Sequence, residues 1–187
     1  MHRSIKALSV MTLFLGAYSA SAQDAESAPG FWTTPTIAGF GKMHELPMAA
    51  YKPEPRKSYK IVFALTKAAK SPGEVNPGLD HVARTVNLYV ASGVPLSHLK
   101  FVAVAYGEAT PLALDDTHYR AKWGVANPNL PLIMLLKKDG IDIAVCGQAV
   151  GEHHFDYTWV DKSVTTALSG LTTVTTLEQD GYALMPL

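Results

Sequence analysis

From Tyr59 onward the chain alternates between two hydrophobic patterns, and that alternation restricts its fold more than any other feature. Residues 59–65 (Tyr-Lys-Ile-Val-Phe-Ala-Leu) and 99–105 (Leu-Lys-Phe-Val-Ala-Val-Ala) are β-branched and aromatic runs of strand length. Between them Ser71-Pro72-Gly73 breaks the chain, and Asn76-Pro77 supplies a helix cap with proline at the first helical position. Leu79, Val82, Ala83, Val86 and Val90 then follow at helical spacing until Gly93 stops them. The signals repeat downstream. The stretch 109–123 contains a short helix, and Asn127-Pro128 opens another through Leu132, Leu135 and Leu136 to Gly140. Residues 141–145 form a third strand ending at Cys146-Gly147, and Val164–Leu168 a fourth. Leu171, Val174 and Leu177 mark a last helix ending near Gly181, and Tyr182–Met185 adds a short terminal strand. Such alternation predicts an α/β fold: a small, doubly wound, mainly parallel sheet with helices on both faces, in three layers.

The chain before this pattern is different material. Residues 1–22 read as a secretory signal peptide, with Arg3 and Lys6 at the start, an apolar run from Ala7 to Ala17, and Ala20-Ser21-Ala22 as the cleavage site. That run is shorter than the roughly 20 residues of a membrane span. The expectation is a periplasmic or otherwise exported protein with no membrane span after cleavage. Residues 23–57 hold five of the twelve prolines (Pro29, Pro35, Pro47, Pro53, Pro55) and no regular period, which predicts an extended arm. Phe31, Trp32, Ile37, Phe40, Leu46, Met48 and Tyr51 make this arm too apolar for a bare linker; packing on the domain or on a neighbouring subunit is expected. The α/β domain is placed at 58–187.

Charge and cysteine count exclude several functions. Sixteen basic against sixteen acidic residues give no basic footprint for nucleic acid. A single cysteine permits neither an internal disulfide nor a CxxC pair nor a multi-cysteine zinc site. GxGxxG, Walker A and GxSxG patterns are absent, Asp115-Asp116 and Glu152 make no recognisable carboxylate pair, and no cofactor is expected. His153-His154 lacks the spacing of a metal pair and reads as an exposed loop, and the scattered methionines read as core.

Chemistry in open parallel sheets collects beyond the carboxyl ends of the strands. Three segments reach that edge: Tyr106-Gly107-Glu108, Cys146-Gly147-Gln148 and the loop from Thr66 to Asn76. Cys146 closes a strand, and a helix starting near Gln148 would turn its first amides toward the sulfur and favour thiolate. Such a thiolate can attack, accept or hold a sulfur atom. The same position also suits the last buried residue of a core strand. His118 is a candidate for acid–base work from its loop.

The run Asn127-Pro128-Asn129-Leu130, the helix to Gly140, and Ile143-Ala144-Val145-Cys146-Gly147-Gln148 together resemble the DsrE/DsrF-like sulfur-relay proteins, and most of all their exported single-domain members. The resemblance extends to Tyr59–Phe63, to the Asn76–Asn87 helix, to Val104–Gly107 and to Gly181-Tyr182-Ala183-Leu184. It implies a parallel α/β/α sandwich that assembles as a homo-oligomer, trimer or hexamer, and a cysteine after a strand that carries sulfur as a persulfide, here Cys146. Many relatives have His-Gly where this chain has Tyr106-Gly107. The leading expectation is therefore a sulfur carrier rather than a classical enzyme. Cys146 accepts the sulfur, while Gly147, Gln148, Tyr106, Gly107, Asn76 and His118 line the site, and sulfur donor or acceptor proteins or a small sulfur compound are the partners. One alternative is a periplasmic module binding a small ligand or partner, with Cys146 structural. Another is a thiol-dependent enzyme or redox sensor that needs an external thiol.

Overall fold

The structure is a computed structural model and describes residues 28–187; the leader expected over residues 1–22 lies outside them. The chain divides into Met1–Phe31 and Trp32–Leu187, and every element below belongs to the second unit. Five strands form one sheet: β1 (Tyr59–Leu65), β2 (Leu99–Ala105), β3 (Asp142–Cys146), β4 (Thr165–Ala167) and β5 (Ala183–Pro186). Their order is β4-β3-β2-β1-β5, and every pairing is parallel.

The connections follow from the patterns that predicted them. Helix α1 (Pro77–Ala91) starts where Asn76 Oδ1 accepts the Leu79 N–H at 3.1 Å, and it ends as Gly93 turns left-handed at φ 91°. A 3₁₀ segment (Gly107–Ala113) and helix α2 (Asp116–Trp123) follow β2, then helix α3 (Leu130–Lys138) leads into β3. The regular part of α3 begins after Asn129, yet the capping bond lies earlier: Asn127 Oδ1 accepts the Asn129 N–H at 3.0 Å. Asn127-Pro128 thus caps a turn, and the helix itself starts two residues later than the sequence suggests. Helix α4 (Gly147–Glu152) leaves β3 directly, and α5 (Gly170–Gln179) carries the chain from β4 at one edge to β5 at the other.

Strand alternation sends side chains to two unequal layers. Ile61, Phe63 and Leu65, with Phe101, Ala103 and Ile143, face the larger layer built with α1 and α3. Phe63 and Phe101 meet edge to face at 5.4 Å, and Tyr89 of α1 meets Phe101 at 5.5 Å. Fully burying one such side chain contributes about 1.5–3 kcal/mol. Val62, Val104 and Ala144 face the thinner layer, closed by Val174 of α5. β1 to β3 are therefore covered on both sides, which explains why their sequences are nearly continuous hydrophobic runs.

The segment before β1 splits into two behaviours. Residues 33–43 are sewn onto α1. Asn87, fully buried, accepts the Thr36 and Ile37 N–H groups on Oδ1 (3.0 and 2.8 Å) and donates from Nδ2 to the Phe40 and Gly41 carbonyls (3.0 and 2.9 Å). Gly41 has φ 62°, and a Cβ there would lie 2.2 Å from the Arg84 backbone nitrogen, so only glycine permits this approach. Ile37 and Met43 are buried as a result, whereas Leu46, Met48 and Tyr51 beyond them are exposed.

Candidate functional site

The carboxyl ends of β2 and β3 place two of the expected residues side by side. Ala105 pairs with Val145, so Tyr106 and Cys146 are the next residues of adjacent strands, which run roughly 4.8 Å apart. Alternation puts both on the face that α5 covers. The Tyr106 ring lies against Gly170 at the start of α5, where an added Cβ would come within 2.9 Å of the ring. Cys146 is the N-cap of α4, and its Sγ accepts the Ala149 N–H at 3.4 Å.

This corner is closed. Cys146 is only 5% exposed. It pairs in register with Ala167 of β4. Gly147 lies so near β4 that a Cβ would meet the Ala167 carbonyl oxygen at 2.9 Å. The Gln148 side chain donates from Nε2 to the Leu168 carbonyl at 3.2 Å, and the Gly147 carbonyl accepts the Tyr157 hydroxyl at 3.1 Å. Gly147 and Gln148 thus gather at Cys146, as the sequence places them, and they tie α4 to the β4–α5 turn.

Gly107 joins this corner to a second one. Its carbonyl accepts a hydrogen bond from His153 Nε2 at 2.9 Å, and His153 caps the far end of α4. His153 is therefore anchored and half-buried rather than free in an exposed loop, and its ring stacks on Phe155 at 5.3 Å. Beside them a cavity of about 290 Å³ opens at the sheet edge, between the loop after β1, the 3₁₀ segment after β2 and helix α2. Asn76 lines this cavity, whereas Cys146, Tyr106, Gly147 and Gln148 do not.

His118 joins neither corner. It sits in the first turn of α2, where its backbone N–H and ring Nδ1 both meet Asp115 (2.8 and 2.9 Å to Oδ1), and its ring stacks on Trp159 at 4.7 Å and 11°. Burial alone would raise the Asp115 carboxyl; the bonds from the His118 backbone and ring outweigh it and hold the group below its ordinary value. The expectation of a loop histidine reaching the strand ends gives way to a capping pair, because Asp115 two residues after Ala113 is itself a helix cap.

Sequence reasoning missed the residues that build the cavity, notably Lys122, Trp123, Phe155 and Asn129. Asn129 carried a signal in Asn-Pro-Asn, but its bond to the Asn76 N–H, 2.7 Å across 53 residues, is legible only once both helices are placed.

The chain matches the DsrE/DsrF-like family over residues 57–187, from just before β1 through β5. The chain belongs to the DsrE/DsrF-like family. Among solved structures, a protein of unknown function, MTH1491 from Methanobacterium thermoautotrophicum, superposes with a TM-score of 0.52 at 17% identity, covering 70% of this chain and 100% of that one. That likeness concerns the fold. A search of curated proteins gives no match. Membership in the DsrE/DsrF-like family suggests a sulfur-relay-related role. Among the described residues, no group of three or more His, Cys, Asp or Glu is placed to hold a metal ion, and no helix is long and apolar enough to cross a membrane.

Proposed function

We propose that the protein is a sulfur carrier of the DsrE/DsrF-like family, exported through its N-terminal leader and working as a homo-oligomer, with Cys146 as the sulfur acceptor. The observation that carries this reading is the place of the one thiol: at a parallel strand end, capping α4, with the Ala149 N–H on its sulfur. In the proposed step the Cys146 thiolate attacks the outer sulfur of a donor persulfide, R–S–SH. The S–S bond of the donor breaks, Cys146 becomes Cys–S–SH, and the donor leaves as thiolate R–S⁻. No net oxidation or reduction occurs, and a second thiolate reverses the step on delivery. The Ala149 N–H and the Gln148 amide stabilise the anionic persulfide.

The burial of Cys146 sets a condition on this chemistry. Transfer requires the turn at 168–170, tethered by Gln148, to move away from the sulfur. Incubation with a persulfide donor followed by mass spectrometry tests the reading. A gain of about 32 Da on Cys146, one sulfur atom, is expected. A protein that keeps a free thiol and shows no adduct overturns it.

The 5% exposure of Cys146 favours a second reading, in which the thiol is structural and the protein binds a ligand or partner elsewhere on the sheet edge. Under that reading Cys146→Ser keeps full binding.

A further inference from the structure

The cavity beside His153 has the makings of a ligand site that the thiol does not explain. Its floor is polar and buried. Asn76 and Asn129 are each 3% exposed and both line it. Asn76 spends one amide N–H on the Lys67 carbonyl and its oxygen on the Leu79 N–H; Asn129 spends one amide N–H on Asn127 and its oxygen on the Asn76 N–H. A carboxamide carries two N–H donors, so each side chain keeps one donor in hand. Both nitrogens already donate once, and the second N–H of each can donate to a bound acceptor.

The walls supply the rest. Lys70 and Lys122 border the same cavity. Lys122 Nζ stands 5.5 Å from the Trp123 ring centre and 5.3 Å from that of Phe155, so the cation is held against aromatic faces. Tyr119 packs on Trp123 at 4.4 Å and fixes the loop after β1 by donating to the Pro72 carbonyl at 2.9 Å. With Asn76 gripping Lys67 on the other side, the mouth is held open at both ends of that loop. Glu108 is the one acidic group on the lining, set against two lysines and His153.

We propose that this cavity binds a small organic anion: a carboxylate or sulfonate on a flat, apolar body. The oxyanion meets the spare Asn76 and Asn129 amides and the two lysine charges, and the body lies along Pro111 and the accessible part of Trp123. A cavity of about 290 Å³ admits a molecule built on one aromatic ring. The site is independent of the persulfide reading. Cys146 lies at the opposite end of α4, a rise of roughly 10 Å, and on the other face of the sheet.

The test is an NMR titration of the full chain with benzenesulfonate, benzoate and neutral benzyl alcohol. Saturable amide shifts are expected in residues 70–76, 108–112, 122–123 and 153–155 with either anion, and binding of benzyl alcohol at least about 10-fold weaker. A difference between the two anions assigns the head group. Lys122→Gln should weaken the anions at least about 5-fold, and the surface change Glu108→Gln should tighten them about 2-fold or more. Cys146→Ser should leave their affinity unchanged. Equal affinity for benzyl alcohol, shifts that centre outside these residues, or no saturable shift below about 10 mM would overturn the proposal. Unchanged anion binding in a folded Lys122→Gln protein would do the same.

Discussion

Helix α4 has a different environment at each end. At its start, Cys146 is sealed between Tyr106, Gly147 and the β4 edge; past its end, His153 borders an open cavity with lysines, asparagines and aromatic rings. Both ends lie on one sheet edge, six helical residues apart. The difference comes from what covers each face. On the α5 face, glycines at 147 and 170 let backbone and ring close in until no space is left. On the α1 face, Asn129 accepts the Asn76 N–H and ties two helix starts together, and the cavity opens beside that bond. The thiol corner is thus closed, and the cavity stands open to solvent.

Thiol reactivity gives the largest expected contrast between the two corners. At 5% exposure, Cys146 in the native protein should react with a maleimide at least about 100-fold more slowly than in the unfolded chain. Equal rates would dissolve the distinction drawn between the closed and open corners. Next in size is Asn129→Ala. It leaves the Asn76 N–H buried without its partner and should cost about 2–3 kcal/mol by denaturant titration, while leaving the thiol as slow as before.

Gly147→Ala tests the closed corner from the other side. At most helical positions such a change is favourable by roughly 0.5–1 kcal/mol. Here the new Cβ meets the Ala167 carbonyl oxygen at 2.9 Å, so a loss of about 1–2 kcal/mol and faster thiol modification are expected. A stabilised variant would show that β4 is not pressed against α4. Gln148→Ala is gentler. It removes one exposed tether to Leu168, and the maleimide rate should rise about 2- to 5-fold with stability changed by less than about 0.5 kcal/mol.

The two corners were not equally readable from sequence. Strands β1 and β2 were legible to the residue because both faces are largely buried and their hydrophobic runs are broken only by Lys60 and Lys100. Cys146 was legible because a lone thiol before glycine at a strand end is rare. The cavity was not, since lysine, tryptophan and asparagine are ordinary residues until distant segments bring Lys70, Lys122 and Phe155 to one mouth. His118 misled for a related reason: a histidine three residues after Asp115 is also what a capped helix start looks like, and the local bond prevailed over the reach to the strand ends. The arm shows the same limit. Its apolar residues all read alike, yet Ile37 and Phe40 are tied to Asn87 and at least partly buried, whereas Trp32, Leu46, Met48 and Tyr51 are exposed.

The smallest expected effect concerns the aromatic wall that continues from the cavity to that capping pair. Phe155 leans on Trp159, which stacks on His118, so Asp115 anchors the far end of the wall. Its carboxyl is held below the ordinary value in the folded protein, hence its contribution is complete above the unfolded carboxylate pKa of about 3.9 and is lost as the pH falls through the lower folded value. Asp115→Asn preserves a capping oxygen for the His118 N–H and removes only the charge. The variant should melt up to about 1 °C lower at pH 7, and the two proteins should converge as the pH drops below that range, where Asp115 is itself protonated. A difference that persists unchanged in acid would assign the effect to helix capping, and the carboxylate would then have no separate part in holding the wall.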